Sequence, residues 1–114
     1  QDGTLLKFTS FKKPLVDKPT FEWFNNYPNP FSEKTTIGFT VLSQDFDTPT
    51  KAKLKIYDIL GNEMATLFED DFYWGFYELE FSPRKQNLIL SSGIYIISLI
   101  SGDTFISKKI VYLK

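Results

Sequence analysis

From residue 20 onward the chain alternates apolar and polar positions in short runs, with turn-forming residues between them. TTIGFTVL (35–42) places Ile37, Phe39 and Val41 on one face and Thr36, Gly38 and Thr40 on the other. KAKLKIYD (51–58) sets Ala52, Leu54 and Ile56 against Lys51, Lys53 and Lys55, and YELEF (77–81) sets Tyr77, Leu79 and Phe81 against Glu78 and Glu80. A period of two is the signature of strands with one face buried. GIYIISLI (93–100) is apolar on both faces, as an internal strand would be. Ser101-Gly102-Asp103 reads as a tight turn, and TFISKKIVYL (104–113) as the strand that returns from it. FEWF (21–24) is a further short strand. No stretch keeps a helical period over the roughly 11 residues that would identify a helix. The pattern predicts an all-β, immunoglobulin-like antiparallel β-sandwich of about seven strands over residues 21–114.

Residues 1–20 stand apart from this pattern. TLLKFTSF (4–11) reads as a strand of imperfect alternation. Lys12-Lys13-Pro14 and Lys18-Pro19 read as a stiff linker, because each proline fixes φ and removes a ladder donor. These residues are expected to form an N-terminal extension.

Composition narrows the chemistry. Of 114 residues, 42% are hydrophobic and 18% aromatic, which is ample material for a core. Thirteen basic against fourteen acidic residues leave a net charge of −1, which offers no long-range attraction to nucleic acid or to an anionic membrane. There is no histidine and no cysteine, so the usual general base, thiol catalysis and thiolate metal sites are all missing. No apolar run approaches the roughly 20 residues that span a bilayer as a helix. The expectation is a chain without enzymatic activity, cofactor or metal, and without nucleic-acid partners or a transmembrane segment.

Three stretches are unusual in composition. In NNYPNPF (25–31), Pro28 and Pro30 hold φ near −65° and push Tyr27 and Asn29 toward extended backbone, which makes a rigid bend. Tyr27 and Phe31, at its ends, are expected to plug into the base of the sandwich. In IYDILGNEMATL (56–67), Asp58 can accept bonds from a turn backbone, and Gly61-Asn62 suits a positive-φ hairpin position. Met64 and Leu67 should then resume the core face. Ser91-Ser92-Gly93-Ile94-Tyr95 is a turn feeding the internal strand. Read plainly, each stretch is a corner or a hairpin with nothing catalytic in it.

Taken together and in order, the stretches resemble the C-terminal sorting domain of the type IX secretion system. The matching residues are Tyr27–Phe31, Lys53–Leu67 with Met64 at a position usually valine, Ser92–Leu99, and Lys108-Lys109-Ile110-Val111 ending flush at Lys114. The likeness covers roughly residues 21–114. Ser32-Glu33-Lys34 departs from the usual continuation after the kink, and the 43–50 and 82–90 loops look long. The resemblance implies a folded export signal, secreted or held at the outer cell surface by way of the periplasm. It implies two partners: an outer-membrane translocon that recognises the signal, and a sortase-like peptidase that cuts upstream and joins a passenger to an anionic lipopolysaccharide. It implies recognition residues at Tyr27, Pro28, Asn29, Pro30, Phe31, Gly61, Gly93, Lys108, Lys109 and Lys114. Lys108, Lys109 and the last strand are the surface it favours, against the plain reading of a solvated strand end.

Other features carry weaker expectations. The row Lys51, Lys53, Lys55 should face Glu78 and Glu80 across a sheet, or blunt an edge strand. Asp45, Asp47 and the run Glu69-Asp70-Asp71 offer oxygen ligands but lack calcium-loop spacing. In FYWGF (72–76), burial is expected for Phe72 and Phe76 and partial exposure for Trp74. Trp23, Tyr73 and Trp74 would be the platform if the domain bound sugars. The alternative to a sorting signal is a self-assembling extracellular filament subunit. There Leu5, Leu6, Phe8 and Phe11 would be donated as a strand to a neighbouring copy, head to tail.

Overall fold

A computed structural model describes residues 20–42 and 46–114. Among them are seven strands: β1 (Thr20–Trp23), β2 (Thr35–Leu42), β3 (Thr50–Tyr57), β4 (Glu63–Phe72), β5 (Gly75–Phe81), β6 (Gly93–Ser101) and β7 (Thr104–Tyr112). They form two antiparallel sheets, one ordered β1-β2-β5 and the other β4-β3-β6-β7. This is the immunoglobulin-like sandwich that the alternation predicts, with the fourth strand lying beside β3 rather than beside β5.

The inward residues are those the period of two selects. Ile37, Phe39 and Val41 of β2, Ala52, Leu54 and Ile56 of β3, and Ile97 and Leu99 of β6 are all buried between the sheets. Phe39 is the hub. Its fully buried ring stacks on Phe68 and Tyr77 at 6.1 and 5.7 Å and meets Phe72 and Trp23 edge-on at 5.5 and 6.2 Å. β6 is internal to its sheet, between β3 and β7; Tyr95, Ile97 and Leu99 are buried on its inner face, while Ile94, Ile96 and Ile100 lie on the outer face, partly in water. The β6–β7 hairpin turns on Gly102 and Asp103, with the positive φ at Gly102 that such turns favour.

Several expectations need correction. β3 is internal, and β5 belongs to the other sheet, so the lysine row neither blunts an edge nor meets Glu78 and Glu80. Lys51 and Lys53 lie opposite Asp71 and Glu69 of β4, and Lys55 binds Glu63 at 2.9 Å. Glu80 binds Lys34 at 3.1 Å and Lys85 at 3.3 Å instead, and those bonds hold its carboxyl below the usual range. Met64 does not return to the core. The β3–β4 register shifts between Ile56 and Tyr57 and again between Leu54 and Lys55, and Met64 is left exposed while Leu67 stays half-buried. Each bulge inserts one unpaired residue and reverses the alternation beyond it. Phe76 is 53% exposed, on the outer face of the three-stranded sheet, where its ring meets Phe24 at 4.9 Å. Phe72 is half-buried against the core.

Candidate functional site

The strand registers bring the unusual stretches to one pole of the sandwich. Tyr57, which ends β3, pairs with Ile96 near the start of β6, and Gly93 pairs with Tyr112 near the end of β7. The turn 58–62, the step 91–93 and the segment 112–114 are therefore neighbours. Thr35, which opens β2, pairs with Phe81, which ends β5, so the kink and the 82–92 loop lie at the same pole. Thr20 pairs with Leu42 at the opposite pole.

The kink ties the two sheets together. Tyr27 exchanges backbone bonds with Thr36 of the three-stranded sheet, at 3.1 and 2.8 Å. Four residues later Phe31 donates to the Val111 carbonyl at 3.0 Å and accepts from Leu113 N at 2.8 Å, a parallel bridge to the four-stranded sheet. Between them Asn29 Oδ1 accepts from Val111 N at 3.0 Å, doing for that amide what a neighbouring strand would do. Asn26, 5% exposed, donates through Nδ2 to Thr35 Oγ1 at 3.1 Å, and that hydroxyl donates to the Pro28 carbonyl at 2.7 Å. Phe31 is buried against Phe81 and Tyr112, with ring centroids 5.8 and 5.3 Å away. Tyr27 does not plug the base as expected, because its side chain is 80% exposed.

The other motifs are held by similar local bonds. Asp58 Oδ1 accepts from Leu60 N at 2.9 Å and Asn62 N at 2.8 Å, and its Oδ2 accepts from Asn62 Nδ2 at 3.0 Å. The Asn62 amide leads these bonds in holding the Asp58 carboxyl below its usual pKa. Gly61 takes φ +92°, in the left-handed region that a side chain disfavours. The tip of this turn leaves Ile59 and Leu60 exposed. Tyr95, buried at the start of β6, donates its hydroxyl to the Ser91 carbonyl at 2.7 Å. A tyrosine that bonds back to the chain just upstream of this strand is a recurrent brace of immunoglobulin sandwiches. Ser92 Oγ accepts from Lys114 N at 2.7 Å, fastening the last residue to the same step.

The predicted recognition residues thus divide. Phe31, Asn29, Gly61 and Gly93 build the pole from within or along its backbone, and Pro28 and Pro30 shape the kink. Tyr27 and Lys114 project from it. Lys109 lies opposite Ile96, level with the end of β3, and Lys108 one residue further from the pole, and as adjacent strand residues they point to opposite faces of the sheet. They do not form one patch with the rest. The period-two pattern did not single out Ile59, Leu60, Ile89 or Leu113, all exposed at this pole, nor Leu90, which turns inward from the 82–92 loop and is 4% exposed.

The sugar platform does not assemble. Trp23 packs inward against Phe39 with its indole N–H buried and unbonded, while Trp74 lies against Phe46 at the opposite pole, 4.9 Å between centroids. Among the described residues no cluster of acidic side chains could hold a metal ion. Asp45, Leu5, Leu6, Phe8 and Phe11 lie outside the described residues.

Comparison with known proteins identifies a family and a fold. The family model of the secretion system C-terminal sorting domain matches residues 25–113. No curated protein matches the chain. Among solved structures, the dimeric latent PorU from Porphyromonas gingivalis superposes with a TM-score of 0.60 at 18% identity, covering 87% of this chain and 10% of PorU. A β-glucosidase from Kluyveromyces marxianus gives 0.59 at 10% identity, over 85% of this chain and 14% of the enzyme. The β-glucosidase EmGH1 from Erythrobacter marinus gives 0.56 at 10% identity, over 90% of this chain and 18% of the enzyme. At these identities the likeness is one of fold, and the chain spans only a small part of each. With a family match running from the kink to the last strand, the chain belongs to the C-terminal sorting domains of type IX secretion.

Proposed function

We propose that this domain is a non-enzymatic export signal read by the outer-membrane translocon of the type IX system, and that the surface read is the pole where its motifs meet. The observation that carries this reading is the convergence of separated stretches on one pole that keeps Tyr27, Ile59, Leu60, Ile89 and Leu113 in water. Large apolar side chains gathered at one place favour contact with another protein. Burying two or three of them would supply several kcal/mol of affinity, at about 1.5–3 kcal/mol each. The buried members of the motifs hold these side chains in place.

Polarity of the fold supports the same reading. Thr20, where the described fold begins, lies at the far pole, so the chain enters the sandwich at the end away from the motifs. Processing by a sortase-like peptidase would then fall before Thr20, and the passenger would be released or fixed at the outer surface. The fibre-subunit alternative draws no support from the family match or from the similar structures.

The test is export of a reporter that carries a signal peptide and this chain at its C-terminus, in cells with and without the translocon. The reading expects the reporter outside the first cells and in the periplasm of the second. Equal distributions in the two strains would refute it.

A further inference from the structure

Among the described residues the kink pairs with one end of the β7 edge, and β1 of the other sheet packs near this strand without pairing with it. Val111 directs its amide to Asn29 and its carbonyl to Phe31, away from β6, and Leu113 N also goes to Phe31. In an antiparallel ladder, main-chain groups point outward at every second residue. The β6–β7 ladder runs from Gly93↔Tyr112 to Ser101↔Thr104 without a register shift. Phe105, Ser107 and Lys109 therefore turn their N–H and C=O groups away from β6. No described backbone pairs with them. The opposite edge of this sheet, β4, is interrupted by two register shifts and carries Glu63, Glu69, Asp70 and Asp71. β7 has neither bulge nor proline, and of the usual devices that keep an edge from pairing it carries only two lysines, Lys108 and Lys109.

We propose that this open edge pairs with the same edge of a second copy across a two-fold axis at Ser107, joining two four-stranded sheets into one. The inference goes beyond the sorting function and does not depend on it. What favours a second copy is self-complementarity. The exposed donors and acceptors at 105, 107 and 109 are symmetric about residue 107. In that register Ser107 meets its own copy, and Phe105 faces Lys109 of the partner twice. A lysine against an aromatic ring is an attractive cross-strand pair. On the other face Ile106 meets Lys108, so no lysine opposes a lysine. Moving the axis to Lys109 would set like charges together, and Asn29 and Phe31 block the edge beyond residue 110. Phe105 is 65% exposed and lies on the same outer face as Ile94, Ile96 and Ile100, so the joined sheet would carry apolar side chains on that face to either side of the seam. The two-fold dimer is also the commonest closed assembly.

The experiment is sedimentation velocity of the full chain over a range of concentrations, with two variants at one position. Phe105→Lys places lysine against Lys109 at both symmetric contacts, and Phe105→Glu places a carboxylate there. Both change an exposed side chain, and circular dichroism checks that the fold is kept. The proposal expects a reversible dimer that weakens about tenfold or more in Phe105→Lys and persists in Phe105→Glu. Ser107→Pro should also abolish it, since the lost N–H points away from β6; because the change also removes the Ser98–Ser107 hydroxyl bond, circular dichroism checks the fold of this variant as well. A chain that stays monomeric into the millimolar range would overturn the proposal. So would a dimer indifferent to Phe105→Lys, or one that vanishes when residues 1–13 are removed, which would make that segment the occupant of the edge.

Discussion

Phe31 and Tyr27 sit four residues apart in one motif, yet replacing each with alanine should give opposite results. Phe31 is 2% exposed, with its ring against Phe81 and Tyr112. Truncating a buried phenylalanine costs about 3–5 kcal/mol. A domain of this size has roughly 5–15 kcal/mol in all. Phe31→Ala should thus remove roughly a fifth or more of the stability. With a urea dependence of about 2 kcal/mol per molar, a loss of about 4 kcal/mol moves the unfolding midpoint by about 2 M. Tyr27 is 80% exposed, and its bonds to Thr36 are made by the backbone, which alanine preserves. Tyr27→Ala should stay within about 0.5 kcal/mol of the wild type. Trp23 and Trp74 provide the fluorescence for urea titrations. If the two variants lose comparable stability, or if Phe31→Ala costs under about 1 kcal/mol, the division of the motif into builders and projecting residues is wrong.

Further outcomes follow from the same pole. Thr35→Val should cost about 1–3 kcal/mol by urea unfolding, because it strands the buried Asn26 amide and the Pro28 carbonyl. Gly61→Ala has room for its methyl but must hold φ at +92°, so about 1–2 kcal/mol is expected from the backbone alone, read from the same titration. The Asp58 carboxyl has its pKa lowered in the fold from the ordinary 3.8, chiefly by Asn62. Its contribution to stability is therefore complete above 3.8 and lost as pH falls through the lower folded value. Thermal melts against pH should show Asp58→Asn less sensitive to acid than the wild type.

How far the sequence speaks depends on whether its information is periodic. β2, β3 and β5 each keep one alternation, so their inward faces can be read directly, from Ile37 through Phe81, whereas β6 is apolar on both faces and alternation does not say which turns inward. Alternation says which face a residue takes but not which strand lies beside it. Alternation therefore offers Glu78 and Glu80 to the lysine row as readily as its actual neighbours, Glu63, Glu69 and Asp71. In β4 the alternation fails at two bulges, which put Met64 in water. The kink has no period at all. Its prolines announce a bend, but that Tyr27 turns out while Phe31 turns in follows from the separation of the two sheets it joins. Leu90 and Ile89 share an apolar run in the 82–92 loop, and nothing local tells the buried one from the exposed one. The Tyr95 brace was legible in principle, since Ser-Gly-x-Tyr places a tyrosine just inside an internal strand.

The most direct test of the account compares export of a reporter fused to three forms of the domain that melt alike. These are the wild type, a motif-pole variant (Tyr27→Ala with Leu60→Asp), and a far-pole variant (Tyr73→Ala). The account predicts that only the motif-pole variant leaves its reporter in the periplasm, with the other two releasing it equally. Normal release from the motif-pole variant, or retention by the far-pole variant alone, would contradict it.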